Sequence, residues 1–342
     1  MKVFLDDHHG IGDVAMFISV LEAVKKKYSN AEIHMLVKSP VEQSLIETVG
    51  GVSKFYYYDP LNHNFLGVLK LILELRKNHY DIGICHIGTN AKFGAALMKA
   101  IGCKQSVGTD SGNRFFNYTI PIDTSVQPQR ARKNALLLAG LGIKNIEEKS
   151  LLASITFPGV IGSNIKSSFG DSPVIGICIG TGSTKISGQM VDGKKWPENS
   201  WLKLINTFIA NDLKIILFGG NKELQERSLL FDQLNKECVL DYVGKLTLPE
   251  TLEAVKHCDL LIAGDTGIGF CAALMDVPTL SLLGPSDPLL AAPYGRNAEY
   301  IFLGVECSPC YGSERMRNCS YRKCMEQITV NMVYEKSMRM LK

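Results

Sequence analysis

Short apolar segments alternate with amphipathic segments along most of the chain, and this alternation constrains the fold more than any other feature of the sequence. Val3–Leu5 and Glu32–Val37 have the apolar character of buried strands. In Val14–Lys27, which lies between them, apolar residues recur at helical spacing. Strands that are joined through helices by right-handed crossovers run parallel, in a sheet that helices cover on both faces. The alternation therefore predicts an α/β fold with parallel sheets.

The alternation occurs twice, with a different kind of segment in between. The first series ends with a predicted helix over Arg130–Leu141, and the second begins with a predicted strand over Val174–Ile179. Residues 144–173 between them are largely polar or rich in Ser and Gly, which favours a linker. At 342 residues, the chain also has the length of two ordinary domains.

We therefore expect two doubly wound, Rossmann-like domains that face a central cleft. The boundaries that we infer are 1–160 for the first domain, 170–328 for the second, and 329–342 for a C-terminal helix that packs back toward the first domain. Ligands of open parallel sheets bind beyond the carboxyl ends of the strands. Functional residues are accordingly expected in the loops that follow the strands.

Composition argues against several other classes of protein. The hydrophobic fraction of 46% and the charged fraction of 21% are typical of a well-packed globular protein. A net charge of +3 gives no indication of nucleic-acid binding, which requires a concentrated basic surface. No apolar stretch approaches the roughly 18–20 residues of a transmembrane helix, and the acidic residues after Leu5 do not fit a secretory signal. We expect a cytoplasmic protein with reduced cysteines.

The loop after the first predicted strand has the composition of a ligand site. In His9-Gly10-Ile11-Gly12-Asp13, the two glycines allow the backbone to approach a ligand closely, and Asp13 falls at the start of the following helix. An aspartate in this place is suited to capping the helix. It is equally suited to accepting a proton from an attacking hydroxyl as a general base. The local sequence leaves both interpretations open.

Three loops of the second half have the composition of anion sites. The segment Ile179–Lys185 resembles a glycine-rich phosphate loop, although it matches neither the Walker A motif nor the dinucleotide fingerprint. Lys194 precedes Trp196-Pro197 at the start of a predicted helix, from where it can reach an anion. In the third loop, Asp265-Thr266-Gly267 begins another helix, whose first backbone amides and Thr266 hydroxyl can bind phosphate.

Taken in order, these loops resemble the heptosyltransferases of glycosyltransferase family 9, which have the GT-B fold. The resemblance extends from Gly12 to about Val330. Its motifs are Gly12-Asp13, Lys194-x-Trp196-Pro197, Phe218-Gly219-Gly220 with Glu223, Val243-Gly244-Lys245, Asp265-Thr266-Gly267, Ala272-Ala273-Leu274, Val277-Pro278 and Leu283-Gly284-Pro285-Ser286.

The resemblance implies an inverting transfer of heptose from a nucleotide-diphosphate donor, ADP-heptose, to a lipopolysaccharide-core or lipid-linked saccharide at the inner-membrane surface. It implies that the N-terminal domain binds the acceptor, that the C-terminal domain binds the nucleotide, and that catalysis needs no divalent ion. On the acceptor side, the resemblance implies that Asp13 is the general base and that Gly10 and Gly12 belong to the acceptor-side loop. On the donor side, it implies that Lys194 contacts the diphosphate and that Thr181 and Ser183 line the same loop. It further implies that Thr266 and Gly267 bind phosphate and that Asp265 positions the donor sugar or the loop.

Two departures from the family pattern leave other functions open. Phe270 stands where the family usually has a histidine, close to the donor phosphates. The second departure is Asp6-Asp7-His8-His9, which stands in place of the usual basic and small residues. An Asp-His-His triplet also occurs in phosphoesterases, but the further metal ligands of that motif are not found in the sequence. The alternatives are a protein O-heptosyltransferase of the same fold, a nucleotide-sugar epimerase, and a nucleotide-sugar-binding protein without catalysis.

Four cysteines near the C-terminus have the spacing of a metal site. Cys307, Cys310, Cys319 and Cys324 follow the pattern C-x2-C-x8-C-x4-C, which suits one tetrahedral ion. Four thiolates favour Zn or Fe, and the role of such an ion would be structural because the cluster lies outside the predicted ligand loops. The other interpretation is a packed loop with reduced thiols.

Overall fold

The structure is a computed structural model that describes residues 1–60, 64–113, 115–125, 130–143, 155, 157–182 and 184–341. The chain divides into two compact units, Met1–Leu151 and Leu152–Lys342. Each unit contains one six-stranded parallel sheet, so the predicted α/β fold with two parallel sheets is confirmed. In the described part of the chain, no helix combines the length and the apolar character needed to cross a membrane.

The sheet of the first unit has the strand order β3-β2-β1-β4-β5-β6, and neighbouring strands are parallel. Its strands are β1 (Lys2–Asp7), β2 (Glu32–Val37), β3 (Lys54–Tyr57), β4 (Ile82–Cys85), β5 (Gln105–Thr109) and β6 (Ile120–Ile122). Its helices are α1 (Ile11–Lys27), α2 (Pro40–Val49), α3 (Phe65–Arg76), α4 (Ala91–Ile101) and α5 (Arg130–Gly140). The strand order reverses between β1 and β4, and ligands of doubly wound sheets bind at such a switch point.

Local sequence explains where several of these elements begin and end. Ser39 caps α2 by accepting a hydrogen bond from the backbone N–H of Val41, and Asn90 caps α4 in the same manner. Gly102 ends α4 in a left-handed conformation that glycine adopts without strain. The strand β6 was not predicted, because it has only three residues and one is Pro121. An edge strand tolerates proline, which has no N–H to donate.

The sheet of the second unit repeats this architecture with the order β11-β10-β7-β12-β13-β14, and a hairpin, β8-β9, follows β7. The strands are β7 (Val174–Cys178), β8 (Thr184–Ile186), β9 (Gln189–Val191), β10 (Lys214–Phe218), β11 (Val239–Asp241), β12 (Leu260–Ala263), β13 (Thr279–Leu283) and β14 (Ala298–Phe302). The α-helices are α6 (Val160–Phe169), α7 (Glu198–Ile209), α8 (Leu224–Phe231), α9 (Leu248–Val255), α10 (Gly267–Leu274), α11 (Pro288–Ala291), α12 (Glu314–Arg317), α13 (Lys323–Glu326) and α14 (Val330–Met340). The order reverses between β7 and β12.

The predicted linker is only partly correct. Residues 144–154 and 156 of that segment lie outside the described residues. The remainder contains α6, which packs against α9 within the second unit and is held there by hydrogen bonds from the backbone of Ile161 and Gly162 to the Glu253 carboxylate. The Ser and Gly content concealed a helix whose buried residues include Ile165 and Phe169. The second unit therefore begins earlier than residue 170.

The C-terminal helix α14 lies against the second unit. It packs against α7, and Val333 is fully buried in the core that contains Trp196 and Trp201. Lys336 bonds the carbonyl of Tyr300 on β14. The apolar face of α14 is thus used by the core of its own unit, and the expected packing of residues 329–342 toward the first domain stays a prediction.

Candidate functional site

The loop between β1 and α1 presents Asp13 on the first turn of a helix. Gly10 is the N-cap of α1, with an extended backbone and without a side-chain capping bond. Asp13 is the third residue of α1, and its own N–H bonds the carbonyl of Gly10 at 3.0 Å. The capping interpretation of Asp13 is therefore wrong. Its carboxylate is instead placed in the first turn, where the helix dipole favours negative charge.

Glycine at position 10 keeps the space next to this helix start open. A Cβ atom at Gly10 would meet no atom within 4 Å, so packing does not require glycine there. Gly12 is the second residue of α1 and is half-buried. Both positions lie at the carboxyl end of β1, next to the switch point, as expected for a ligand loop.

Asp6 and Asp7 are both fully buried at the end of β1, and they differ in their partners. Oδ1 of Asp6 lies 2.6 Å from Nδ1 of His8, and the Cys85 thiol donates to Oδ2 at 3.0 Å. Burial opposes ionisation of Asp6, but the charge and hydrogen bond of His8 outweigh burial and lower the pKa of Asp6. The Asp6–His8 pair is thus an internally neutralised ion pair.

Asp7 has no such partner in the described part of the chain. Neither of its carboxylate oxygens has a hydrogen-bond partner there, and the backbone N–H of His9 only partly offsets the effect of burial on the pKa of Asp7. Burial, followed by the negative charges of Asp13 and Asp6, raises the pKa of Asp7 well above its ordinary value. Asp7 ends β1 and Asp13 lies in the first turn of α1, so two carboxyl groups stand at this end of the first strand.

Two histidines join Asp7 at the same sheet edge. His9 follows β1, and His86 follows β4, so parallel pairing of these strands brings the residues together. One potential metal-binding atom from each of Asp7, His9 and His86 lies within 4.8 Å of the others. His86 was not predicted as a site residue, because 77 residues separate it from His9 and only the strand order places them together.

In the second unit, Lys194 and Asp265 form an ion pair at the carboxyl ends of the strands. Nζ of Lys194 lies 3.2 Å from Oδ2 of Asp265 and 3.2 Å from its backbone oxygen. The hydroxyl of Ser286 donates to the same Oδ2 at 2.6 Å. Lys194 also lies 5.1 Å from the centre of the Tyr311 ring, within the range of a cation–π contact. Lys194 is only 7% exposed, which is unusual for a lysine.

The start of α10 and the loop after β7 lie next to this pair. Thr266 caps α10 by accepting a hydrogen bond from the Gly269 N–H at 3.1 Å, and Gly267 is the first helical residue. A Cβ atom at Gly264 would lie 2.6 Å from Cγ2 of Thr181, which places that loop against the Asp265 loop. The structure thus brings together Thr181, Lys194, Asp265, Thr266 and Gly267. Ser183 lies outside the described residues.

Sequence reasoning missed several members of this group. Ser286 fixes Asp265, and Asp192 accepts a hydrogen bond from Thr181 at 3.2 Å. Glu223 lies against the loop glycines, because a Cβ atom at Gly180 would be 2.7 Å from its carboxyl carbon. Burial raises the pKa of Glu223 despite a bond from the Gly220 N–H. The motif order had included Ser286 and Glu223, but no local signal distinguished them as site residues.

Phe270, the departure from the family pattern, is on α10 and is buried. Its ring is therefore packed in the interior of the second unit, where a histidine would need a polar partner. The change at this position removes a polar group near the start of α10 without disturbing the capping bond of Thr266.

The four C-terminal cysteines are gathered but are not at metal-binding distances. All four are free thiols. The pKa of Cys324 is raised to about 11, mainly by burial and then by the neighbouring Cys310, Cys307 and Cys319. No three of their sulfur atoms lie within 4.8 Å of one another, whereas sulfurs around one zinc are about 3.8 Å apart. The donor chemistry suits Zn or Fe, but the loop has to contract to bind either ion.

Comparison with protein families distinguishes among the enzymes that share this architecture. The model of "Glycosyltransferase family 9 (heptosyltransferase)" matches residues 68–320. The chain belongs to glycosyltransferase family 9. The matched region includes Lys194, Asp265, Thr266 and Gly267, and the predicted family resemblance and GT-B fold are confirmed.

Individual members of family 9 show the same relationship. Lipopolysaccharide heptosyltransferase 1 of Pseudomonas aeruginosa is 31% identical over 134 residues, which are 39% of this chain and 36% of that relative. Lipooligosaccharide heptosyltransferase 2 of Campylobacter jejuni is 23% identical over 351 aligned residues, 100% of this chain and 99% of the relative. The structure of Escherichia coli ADP-heptose lipopolysaccharide heptosyltransferase II superimposes with a TM-score of 0.74 at 20% identity, covering 100% of this chain and 98% of that one.

Proposed function

We propose that this family 9 glycosyltransferase transfers heptose from ADP-heptose to a saccharide of the lipopolysaccharide core, with inversion at the anomeric carbon. The observation that carries the proposal is the buried Lys194 beside the start of α10. A cation, backbone amides and the positive end of a helix dipole at one strand end form a site for a diphosphate. The proposed sugar, nucleotide and acceptor class are those of the lipopolysaccharide and ADP-heptose heptosyltransferases that this chain resembles.

The second unit supplies the donor side of the proposed reaction. Lys194 is held by Asp265, and Asp265 is held by Ser286, so the ammonium group is fixed before the donor binds. An incoming diphosphate competes for the Lys194 charge, while Asp265 keeps its bond from Ser286. Because Lys194 is almost completely buried, its attraction for the leaving group is screened less by water than that of a surface lysine.

Asp13 supplies the proposed general base. The acceptor hydroxyl gives its proton to the Asp13 carboxylate as its oxygen forms a bond to the anomeric carbon of heptose. The bond from that carbon to the diphosphate oxygen breaks in the same displacement, which inverts the anomeric configuration and releases ADP. Lys194 and the start of α10 stabilise the negative charge on the departing diphosphate, the role that a divalent ion has in other transferases. Metal-independent catalysis is therefore part of the proposal.

A donor screen by mass spectrometry tests this function. The purified protein is incubated with ADP-heptose or another sugar nucleotide, with and without a core saccharide acceptor. Acceptor-dependent release of ADP and a mass increase of one heptose on the saccharide are expected. Isomerisation of the donor without acceptor would instead show an epimerase. Heptose on a protein hydroxyl would show a protein O-heptosyltransferase, and tight donor binding without turnover would show a binding protein.

For the four cysteines, we propose a structural Zn or Fe ion bound by Cys307, Cys310, Cys319 and Cys324. The support is the set of four thiols in one short segment and their mutual influence on pKa. Elemental analysis of protein purified without added metal is expected to show near-stoichiometric Zn or Fe that is lost in Cys310→Ser. Absence of both metals from the wild-type protein would contradict this assignment.

We also propose that the protein works in the cytoplasm at the surface of the inner membrane, where a lipid-linked acceptor is accessible. One face of α3 exposes Phe65, Leu66, Leu69 and Leu73, with exposed fractions of 81%, 66%, 44% and 54%. Lys70, Arg76 and Lys77 flank this apolar face, and the one acidic side chain of α3, Glu74, is paired with Lys54 at 3.0 Å. Apolar residues flanked by cations are typical of helices that lie on anionic membranes.

A further inference from the structure

Asp7, His9 and His86 form a cluster that the proposed transfer reaction does not use. One potential ligand atom from each lies within 4.8 Å of the others, and no other three His, Cys, Asp or Glu residues do so in the part of the chain that the structure describes. From this arrangement we propose that the first unit binds a divalent transition-metal ion, best matched by Zn²⁺, through Asp7, His9 and His86. The site is separate from the cysteine segment and does not depend on the proposed function.

The burial of Asp7 is the first reason to place a cation here. Its side chain is fully buried, and neither oxygen forms a hydrogen bond with a described group. An ionised carboxylate in such a place is strongly disfavoured unless a proton or a cation neutralises it. A divalent ion bound to Asp7 supplies that positive charge.

Strand alternation separates the four residues of the Asp6-Asp7-His8-His9 motif into two pairs. Asp6 and His8 point to the same side and bond each other at 2.6 Å, so this pair neutralises itself. Asp7 and His9 are the alternate residues, and they meet His86 at the end of the neighbouring strand. The motif therefore contains one structural ion pair and two of the three proposed ligands, and the third, His86, directly follows β4.

Neighbouring groups orient both imidazoles. Nε2 of His9 lies 2.9 Å from the Thr89 hydroxyl; when Nε2 donates its proton to that oxygen, Nδ1 is the nitrogen that has a lone pair to offer a metal. The Gly88 N–H donates to Nδ1 of His86 at 2.9 Å, which puts the proton of neutral His86 on Nε2. Metal binding through Nε2 places that proton on Nδ1, which can then no longer accept from Gly88, so the Gly88 N–H has to turn away and a metal–nitrogen bond replaces its hydrogen bond.

The donor set determines which ions fit. Two imidazole nitrogens and one carboxylate suit Zn²⁺ and other first-row transition ions, whereas Mg²⁺ and Ca²⁺ prefer oxygen ligands throughout. Ligand atoms around a tetrahedral zinc are about 3.4 Å apart, and the three atoms here lie within 4.8 Å of one another, so small side-chain adjustments bring them to bonding geometry. His9 is partly exposed, which leaves the ion accessible to solvent and a fourth coordination position open to water.

Cobalt titration of the chelator-treated full-length protein tests the site, because Co²⁺ distinguishes nitrogen and oxygen ligands from thiolates by its absorption. In the Cys310→Ser background, which removes the proposed cysteine site, the protein is expected to bind one equivalent with visible d–d bands and without sulfur charge transfer. Asp7→Asn and His86→Gln are each expected to weaken this binding at least about 100-fold. His34→Gln, which removes another buried histidine of the same sheet, is the matched control and retains the equivalent.

Equal cobalt binding by the Cys310→Ser protein with and without Asp7→Asn or His86→Gln would overturn the proposal, as would binding in that background that always shows sulfur charge transfer. A second measurement needs no variant and so does not depend on the folding of either one. Crystals of the wild-type protein soaked in ZnCl₂ are expected to give an anomalous peak at the zinc edge within bonding distance of Asp7 and His86. Anomalous signal at the cysteines alone would also overturn the site.

Discussion

The ammonium nitrogen of Lys194 lies 3.2 Å from Oδ2 of Asp265, and the side chains of both residues are mostly buried, with exposed fractions of 9% and 15%. An ion pair removed from water in this way is held in place but contributes little net stability, since desolvation offsets much of the attraction. Its value lies in placing a cation with one fixed geometry at the strand ends. Removing either partner leaves the other charge buried and uncompensated.

Replacing Lys194 with methionine is expected to reduce kcat/KM for the donor by about 10²–10³-fold, because the developing charge on the diphosphate loses its cation. Steady-state kinetics of ADP release measure the effect. Lys203→Met removes an exposed lysine of α7 and is the matched control, with kinetics close to wild type. A Lys194→Met enzyme with wild-type kcat/KM would remove this residue from the donor site.

Asp13→Asn is expected to lower kcat by about 10²–10⁴-fold while leaving the affinity for ADP unchanged, because asparagine cannot accept the acceptor proton and the proposed nucleotide site is on the second unit. Turnover assays and ADP titration calorimetry separate the two quantities. Glu22→Gln, which neutralises another acid of α1, serves as the control. Turnover of Asp13→Asn within about threefold of wild type would contradict the general-base role.

The proximity of the predicted second-unit residues agrees with their sequence positions, because each of them lies in a short motif after a strand. Lys194 precedes Trp196-Pro197, and Asp265 precedes the Thr266 cap, so local sequence was sufficient to identify both. The pairing of Lys194 with Asp265 was not predictable, since it results from the folded positions of two loops that are 71 residues apart in sequence.

The parts that sequence reasoning missed share a different cause. His86 meets His9 only because β1 and β4 are neighbours at the switch point, which strand patterns alone do not specify. The Ser and Gly residues around α6 suggested a linker, although Ile165 and Phe169 bury a helix face there. Asp13 was correctly predicted at the start of a helix. Whether it is the N-cap depended on where α1 begins, and because α1 begins at Ile11, the N-cap is Gly10.

The exposed apolar face of α3 predicts a membrane-binding defect. The double variant Leu69→Glu/Leu73→Glu places two negative charges in that face, so binding to vesicles that contain phosphatidylglycerol is expected to fall at least about tenfold in co-sedimentation. Leu229→Glu alters an equally exposed leucine on α8 and is the control. Equal sedimentation of all three proteins, or self-association of the wild type through α3 in light scattering, would contradict a membrane role for this face.

Asp241 at the end of β11 is expected to stabilise the second unit in a pH-dependent manner. Oδ2 of Asp241 accepts hydrogen bonds from Nη2 of Arg227 at 2.8 Å and Nζ of Lys245 at 2.6 Å. Burial alone would raise the pKa of Asp241, but the bonds from Arg227 and Lys245 outweigh it and lower the pKa. A carboxyl with a lowered pKa in the folded state stabilises the protein above its unfolded pKa of about 3.9, and that contribution is lost as the pH falls through the folded value.

Asp241→Asn should therefore lower the free energy of unfolding by about 1–2 kcal/mol at pH 7, because Arg227 and Lys245 lose a charged acceptor but remain partly solvated. The difference from wild type should narrow as the pH falls below about 4, since the wild-type carboxylate then begins to take up its proton. Urea unfolding of both proteins at pH 7 and at pH 3.5 measures the two differences, with the exposed Asp232→Asn as control. A difference that stayed constant or widened at the lower pH would mean that Asp241 does not gain its stabilising effect from ionisation, and the ion pairs of β11 would then be only local packing contacts.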